Sequence, residues 1–232
     1  MRYLLLLMAC TTLLLSCGEK ANTVKTYYDA DQKVIKEEYA IKGDVAEAGA
    51  QIRHGKYTLY HENGKVKEEK QYTEGNLDGK RTIYFEDGKT DLEENYKEGH
   101  FEGDYKAYYA NGKLREEGQY VNNEMTGLWK YYYENGQLKE EVTFAKNLEN
   151  GPYKMYHENG KLAAEGQYDM ENQSGLWKHY YASGAKEEEV NYLNGKEEGW
   201  VYVLGEQGDT LKWIQYKEGR PVSFREKAPA AL

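Results

Sequence analysis

The chain has 232 residues, a formal net charge of −9 and a mean hydropathy of −0.97, so it is polar and acidic. This balance argues against nucleic acid as a partner, because phosphate contacts need a surface rich in Lys and Arg. The 24 glycines and 24 tyrosines, each near one residue in ten, indicate a repeated sequence.

The first segment, MRYLLLLMACTTLLLSC, has the features of an export signal. Arg2 supplies a positive charge, and the apolar run that follows is shorter than the roughly 20 residues of a membrane-spanning helix. Its last four letters, LLSC, resemble the lipobox of bacterial lipoproteins. That resemblance implies a signal peptide over residues 1–16, lipid attachment to Cys17 and a lipid-anchored protein of the bacterial cell envelope. Gly18, where an aspartate would favour the inner membrane, favours the outer membrane.

An ordinary cleaved signal with a chance cysteine is the alternative interpretation of this segment. Both cysteines, Cys10 and Cys17, lie within it. The remaining chain therefore has no thiol for disulfides, metal binding or nucleophilic catalysis. Residues 17–25 are predicted to be a tether, and residues 26–54 a degenerate first repeat with an insertion.

A regular array follows, in which glycines recur every 24 residues from Gly55 to Gly199 and again from Gly64 to Gly208. We number the repeats 1 to 7 over residues 55–222, count places from the first glycine of each, and predict a C-terminal tail over residues 223–232. The ninth and tenth places hold Asn-Gly or a related pair. Asn-Gly favours a two-residue type I′ hairpin turn, since both residues of that turn need a positive φ.

If that pair forms the loop, the numbers of two places that face each other across the hairpin add up to 19. The residues at such facing places have complementary side chains. Trp129 then faces Val142, and Tyr105 faces Gly118, where the ring is expected to shield the glycine. The sequence therefore predicts an all-β fold, an elongated antiparallel β-hairpin repeat array forming a twisted open sheet or a solenoid-like meander.

Strand alternation separates two faces of this sheet. The third, fifth, seventh, twelfth, sixteenth and eighteenth places are mostly apolar or aromatic, and the other face carries Lys, Glu, Gln and a tyrosine column. The column consists of Tyr60, Tyr84, Tyr108, Tyr132, Tyr156 and Tyr180. It is a candidate binding surface, and the alternative is that the rings pack over Lys and Glu stems. In repeat 7, Tyr202 and Trp213 replace polar residues, which indicates a cap beneath the tail or a partner interface.

The pattern G-x-[WY]-K-x-Y-Y-x-N-G-x-L-x-E-E-x-x-Y, found at residues 103–120 and, with Phe144 in its last place, at residues 127–144, resembles the MORN-variant repeat. The resemblance extends to the YwqK-type antitoxin or immunity family. It implies a binding or scaffold protein with a protein partner, such as a toxin, and the lipobox adds the membrane anchor. Binding of a glycan or the cell wall through the tyrosine rows is the alternative function.

No catalytic site is predicted. Neighbouring glutamates of a strand point to opposite faces, so they cannot act together on one substrate atom. His61, His157 and His179 occupy aromatic places without the spacing of metal ligands. Nucleophile motifs and phosphate-binding loops are missing from the sequence. We therefore expect no enzyme activity, no cofactor and no metal.

Overall fold

The structure, a computed structural model, describes residues 22–42 and 52–227. Within these ranges all regular structure is β, and 19 strands form one antiparallel sheet that confirms the predicted hairpin array. Each long strand pairs with the next long strand along the chain, from β1 to β19. The described residues contain no helix that is long and apolar enough to cross a membrane.

The strand bounds are β1 (Asn22–Tyr27), β2 (Ile35–Lys42), β3 (Ile52–Tyr60), β4 (Val66–Thr73), β5 (Asn76–Leu77), β6 (Gly79–Tyr84), β7 (Thr90–Lys97), β8 (His100–Phe101), β9 (Gly103–Tyr108), β10 (Leu114–Val121), β11 (Glu124–Tyr132), β12 (Leu138–Ala145), β13 (Leu148–Tyr156), β14 (Leu162–Asp169), β15 (Asn172–Tyr180), β16 (Lys186–Leu193), β17 (Lys196–Leu204), β18 (Thr210–Lys217) and β19 (Arg220–Glu226). β5 and β8 are two-residue segments that precede β6 and β9, and β19 spans the predicted start of the tail.

The predicted facing places are confirmed along most of each hairpin. In repeat 4, β11 and β12 pair Trp129 with Val142 and Lys130 with Glu141, so these places sum to 19. The same pairing joins Tyr105 to Gly118 in repeat 3. The matched residue contents therefore report real cross-strand neighbours.

The type I′ turn predicted at Asn-Gly is wrong. In repeat 4 the Gly136 N–H donates to the Tyr133 carbonyl over 2.8 Å, and the Tyr133 N–H donates to the Gln137 carbonyl over 2.8 Å. Gly136 has a φ of +89°, while Asn135 is not among the residues with positive φ. This is a three-residue loop, a type I turn closed by a left-handed glycine.

A bulge next to each such loop restores the predicted register. In repeat 4, Tyr132 pairs with Leu138, but Tyr131 pairs with Glu140, so Lys139 is an extra residue. The loop shifts the pairing by one residue and the bulge shifts it back. The leucine at the twelfth place therefore faces the tyrosine column, not the opposite face as strict alternation from the sequence suggested.

The two-residue turns with positive φ lie instead at the twentieth and twenty-first places, where one hairpin connects to the next. Lys146 and Asn147 have φ of 54° and 68°, and the flanking Ala145 pairs with Leu148. The turn from the hairpin of repeat 5 to the hairpin of repeat 6 has the same geometry, although its residues are Met170 and Glu171. Backbone twist between paired strands selects this turn type, even where neither residue favours it.

The largest buried side chains lie on one face, the aromatic face, made by the third, fifth, sixteenth and eighteenth places. Trp129 and Trp177 are only 1% and 2% exposed. A Cβ added to Gly118 would lie 2.2 Å from the Trp129 indole, so the nearest ring comes from the following repeat. The sequence had suggested Tyr105 as the shield. An irregularity in the β10–β11 register beside Gly118 allows Trp129 to lie over it.

The aromatic packing repeats every 48 residues, which is two sequence repeats. A Cβ added to Gly166 would lie 2.2 Å from the indole of Trp177, the same distance as between Gly118 and Trp129. The ring centroids of Tyr105 and Trp129 are 5.4 Å apart, and those of the equivalent Tyr153 and Trp177 are 5.2 Å apart. The ring centroids of Tyr120 and Trp129 are 5.2 Å apart, and those of the equivalent Tyr168 and Trp177 are 5.1 Å apart. The packing unit of this region is therefore a pair of repeats.

Candidate binding surface

The tyrosine column lies on the face opposite the aromatic face, here called the tyrosine face. All six tyrosines at the sixth place are half-buried. The hydroxyls of five of them donate to a glutamate at the fifteenth place of the preceding repeat. These bonds are Tyr84–Glu69 (3.4 Å), Tyr108–Glu93 (3.2 Å), Tyr132–Glu117 (2.7 Å), Tyr156–Glu141 (3.0 Å) and Tyr180–Glu165 (3.0 Å).

The same bonds perturb the acidity of both partners. Burial, helped by the hydrogen bond to Glu117, raises the pKa of Tyr132 to about 12. Hydrogen bonds from Tyr180 and Lys178 hold the pKa of Glu165 below its usual range. The five bonded tyrosines therefore stay neutral at pH 7, and their hydroxyls join successive repeats. What the column leaves to a partner is partly exposed ring surface.

The tips of the hairpins form a second connection between repeats that the sequence did not suggest. The Tyr109 hydroxyl donates to the Tyr132 carbonyl over 2.7 Å, one repeat ahead. Asn111 accepts the Lys113 N–H of its own loop over 2.9 Å and donates from Nδ2 to the Glu134 carbonyl over 2.9 Å. Asparagine therefore serves this loop through its side chain, not through a positive φ.

The histidines at the seventh place belong to this connection. Nε2 of His61 and of His157 lies 3.0 and 2.8 Å from the carbonyls of Tyr84 and Tyr180, where other repeats place a tyrosine hydroxyl. His179 stacks on Trp177 with the ring centroids 6.3 Å apart. Among the described residues no group of three His, Cys, Asp or Glu side chains could hold a metal ion.

Two grooves on the tyrosine face are equivalent, because their lining residues are 48 positions apart. The first, of about 450 Å³, includes Lys106, Glu117, Gln119, Leu128 and Lys130. The second, of about 310 Å³, includes Lys154, Glu165, Gln167, Leu176 and Lys178. We call them the repeat 3–4 groove and the repeat 5–6 groove.

Each groove combines an exposed leucine with lysines that flank a glutamate. Leu128 and Leu176 are 49% and 52% exposed, although both lie in the middle of strands. Lys178 forms a 3.2 Å salt bridge with Glu165. Lys106 and Lys130 form no salt bridge within the described part of the chain. Both grooves thus offer apolar contact beside lysines, and in the repeat 3–4 groove Lys106 and Lys130 are without a salt bridge among the described residues.

The last repeat carries a separate cavity on the same face. It measures about 370 Å³ and is lined by Trp200, Tyr202, Trp213 and Arg225. Tyr202 pairs with Trp213, and Trp213 with Arg225 on β19. The tail was one expected cover for these aromatic residues. Its β19 segment instead adds to the edge of the sheet, and Trp200 and Tyr202 stay 43% and 46% exposed.

The predicted site residues thus fall into three groups. The six column tyrosines lie in line and are held by the sheet, while Tyr202 and Trp213 line the terminal cavity. Cys17 lies outside the described residues. Sequence reasoning missed Leu128, Leu176, Trp200 and Arg225. The first three could have been found as apolar residues at the second place, which holds lysine in repeats 1 and 2.

Comparison with known proteins identifies the repeats. Six consecutive segments match the family described as MORN repeat variant, and together they cover 132 of the 232 residues. The matched segments are residues 53–74, 77–98, 101–122, 125–146, 149–170 and 173–194. No curated protein matches the chain.

Solved structures with distant similarity include two crystal structures. The crystal structure of TcdB2-TccC3-Cdc42 is 12% identical with a TM-score of 0.20, over 83% of this chain and 14% of that one. The crystal structure of TcdB2-TccC3 is 12% identical with a TM-score of 0.15, over 88% of this chain and 17% of that one. This chain therefore spans less than a fifth of either.

Proposed function

We propose that the chain, which belongs to the MORN repeat variant family, is a binding scaffold whose protein partner contacts the tyrosine face at the two equivalent grooves. Repeats of this family are generally associated with binding and scaffold roles rather than catalysis. The observation that carries the proposal is the recurrence of one groove, with an exposed leucine and flanking lysines, at a 48-residue interval.

The grooves set the geometry that a partner has to match. Leu128 on β11 and Leu176 on β15 are four strands apart, which corresponds to about 19 Å at the usual strand spacing of about 4.8 Å. An extended peptide covers that distance in roughly six residues. We expect a partner that presents two apolar anchors at this separation, with carboxylates near the lysines.

A pull-down with chemical crosslinking tests the grooves. The double variant Leu128→Asp/Leu176→Asp places a charge in each groove, and we expect it to lose the captured protein. Leu193→Asp is the matched control, because Leu193 is 60% exposed at the end of β16 and lines neither groove. Equal capture by the double variant and the native chain would place the contact elsewhere.

The finer part of the proposal is an anchor at the cell envelope and an immunity-like role. The LLSC sequence before the tether supports lipidation of Cys17, and two or more acyl chains hold a protein at a membrane far more firmly than one. A lipidated antitoxin would protect the envelope, with the toxin as the protein in the grooves. Outer-membrane sorting remains part of this proposal.

Two measurements test this part. Cys17→Ser should move the protein from the detergent phase to the aqueous phase in detergent partitioning, and native protein in the aqueous phase would refute the anchor. If the captured partner is a toxin, cells expressing Leu128→Asp/Leu176→Asp should lose protection that Leu193→Asp retains. Protection independent of the grooves would separate immunity from this surface.

A further inference from the structure

We propose that repeat 7 holds a binding site for an acidic sugar, in the cavity lined by Trp200, Tyr202, Trp213 and Arg225. The site is separate from the two grooves and goes beyond the protein-binding role proposed above. Its volume of about 370 Å³ lies at the lower end of the roughly 300–1,000 Å³ typical of small-molecule sites.

The cavity arises from a local change in the repeat. The fourth and fifteenth places hold a Lys–Glu couple in repeats 3 to 6, such as Lys130 facing Glu141. In repeat 7 these places hold Tyr202 and Trp213, and β19 brings Arg225 alongside. Trp200 lies two residues before Tyr202 and therefore on the same face. Three adjacent strands, β17, β18 and β19, thus each contribute side chains to the cavity.

These rings do not serve as core. Trp200 is 43% and Tyr202 46% exposed, whereas Trp129 on the aromatic face is 1% exposed. An aromatic ring left in water forgoes much of the free energy that burial would give it. The Tyr202 hydroxyl makes no hydrogen bond within the described residues, unlike five of the column tyrosines. Ring faces and a polar group are therefore available to a ligand.

Arg225 supplies the charge. It is exposed and makes neither a salt bridge nor a side-chain hydrogen bond in the part of the chain that the structure describes. Its neighbour Glu226 lies 3.5 Å from Lys212. Residues 199–227 contain five Lys or Arg and four Asp or Glu, against 31 and 40 in the whole chain. A planar guanidinium suits a carboxylate, which it can bind through two hydrogen bonds.

The exposure of the cavity favours a sugar over an apolar peptide side chain. A pyranose can lay its C–H face on an indole or phenol ring while its hydroxyls remain in water. An apolar side chain gains most where it is fully buried, and this cavity opens to solvent. The aromatic faces together with the free guanidinium therefore point to a sugar that carries a carboxylate.

Tryptophan fluorescence of the purified chain measures binding directly, since two of its four tryptophans line the cavity. We expect saturable quenching by a trimer of galacturonic acid and weaker binding of a neutral galactose trimer. Arg225→Gln should weaken binding of the acidic trimer by about tenfold to a hundredfold, the range for a charged hydrogen bond, and leave the neutral trimer nearly unchanged. Tyr202→Ala should weaken both.

Arg220→Gln is the matched control, because Arg220 lies on the same strand outside the cavity. Thermal unfolding of each variant establishes that it folds like the native chain. The inference is overturned if neither trimer quenches the fluorescence, or if Arg225→Gln and Arg220→Gln weaken acidic binding equally. It is also overturned if a tryptophan-containing peptide binds the cavity more tightly than the acidic trimer. Unchanged sugar binding by Leu128→Asp/Leu176→Asp separates this result from the fate of the grooves.

Discussion

Repeats 1–2 and repeats 3–4 use the same backbone register with different interiors. In the first pair the third and sixteenth places hold Tyr57 facing Lys70 and then Arg81 facing Glu94. In the second pair the same places hold Tyr105 facing Gly118 and then Trp129 facing Val142. Strand pairing is therefore independent of what fills the aromatic face.

The two interiors differ in how their groups are satisfied. Arg81 lies 2.6 Å from Glu68 and 2.8 Å from Glu94, and both carboxylates are nearly buried. Lys70 adds a 3.1 Å contact to Glu68. Around Trp129 the contacts are between rings, which have no charge to compensate. The ionic interior is destabilised when one member of an ion pair is removed, because a buried charge is left uncompensated. The aromatic interior is destabilised when a ring is truncated, because a cavity is left behind.

The largest effect is expected from Trp129→Ala, which empties the centre of an aromatic interior. Removal of a buried tryptophan lowers the free energy of unfolding by about 3–5 kcal/mol. Trp177→Ala should have a similar effect, because Tyr153 and Tyr168 pack on Trp177 as Tyr105 and Tyr120 pack on Trp129. Urea unfolding measures both. Trp200→Ala is the exposed control, expected to change stability by about 1 kcal/mol or less. Equal loss in all three variants would contradict the packing described here.

A loss of about 3 kcal/mol is expected from Arg81→Met, which leaves Glu94 buried without a cation and Glu68 with Lys70 alone. This is the low end for a broken buried pair, because the Arg81 side chain is 27% exposed. The triple variant Lys70→Gly/Arg81→Trp/Glu94→Val copies the residues of repeats 3–4. Glu68 is then left without Arg81 and Lys70, so we expect urea unfolding to find the triple variant less stable than the native chain. It should be more stable than Arg81→Met, because Glu94 is removed and the new indole packs over the new glycine. Stability below that of Arg81→Met would show that the two interiors are not interchangeable.

Placing better-suited residues in a turn that joins two hairpins should raise the free energy of unfolding by about 1 kcal/mol. Repeats 1 and 2 are joined by Glu74–Gly75, and repeats 5 and 6 by Met170–Glu171, with positive φ at every residue. Met170→Asn/Glu171→Gly relieves strain that costs roughly 1–2 kcal/mol per residue, less the entropy of a new glycine. Gly75→Ala should be destabilising for the same reason. Urea unfolding in which the double variant loses stability would contradict the turn geometry.

The smallest effect is a difference in pH dependence between repeats 1–2 and repeat 6. Burial raises the pKa of Glu68, but hydrogen bonds from Arg81 and Lys70 outweigh it and leave the pKa below its usual range. Burial and nearby glutamates raise the pKa of Glu188 in repeat 6. The folded-state pKa of Glu68 is therefore below its unfolded-state value of about 4.3. Glu68 stabilises the fold above the unfolded-state pKa, and this stabilisation is lost as the pH falls through the folded-state pKa. Glu188 contributes stability at low pH that is lost as the pH rises through its folded pKa.

Hydrogen exchange, corrected for intrinsic rates, resolves the two regions. Between pH 7 and 4, β15–β17 should gain protection, and below about pH 4, β4–β7 should lose it first. Glu188→Gln should abolish the gain. Parallel changes in both regions would contradict the opposite pKa shifts.

The sequence by itself determined the repeat, the antiparallel pairing and most of the register. Strict 24-residue spacing and matched contents, such as Trp129 with Val142 or Tyr202 with Trp213, carry this information because facing side chains touch. The family could be recognised for the same reason. The column tyrosines could be placed on one face by alternation alone.

Only the tertiary structure decided what depends on contacts between repeats. It placed the type I′ turns at sites such as Met170–Glu171, laid Trp129 over Gly118 and tied Tyr132 to Glu117. It also brought Arg225 to the aromatic cavity. These contacts join residues whose places do not face each other in a hairpin, so no pattern within a single repeat contains them. They follow from the edge-to-edge pairing of each hairpin with the next one in the sheet.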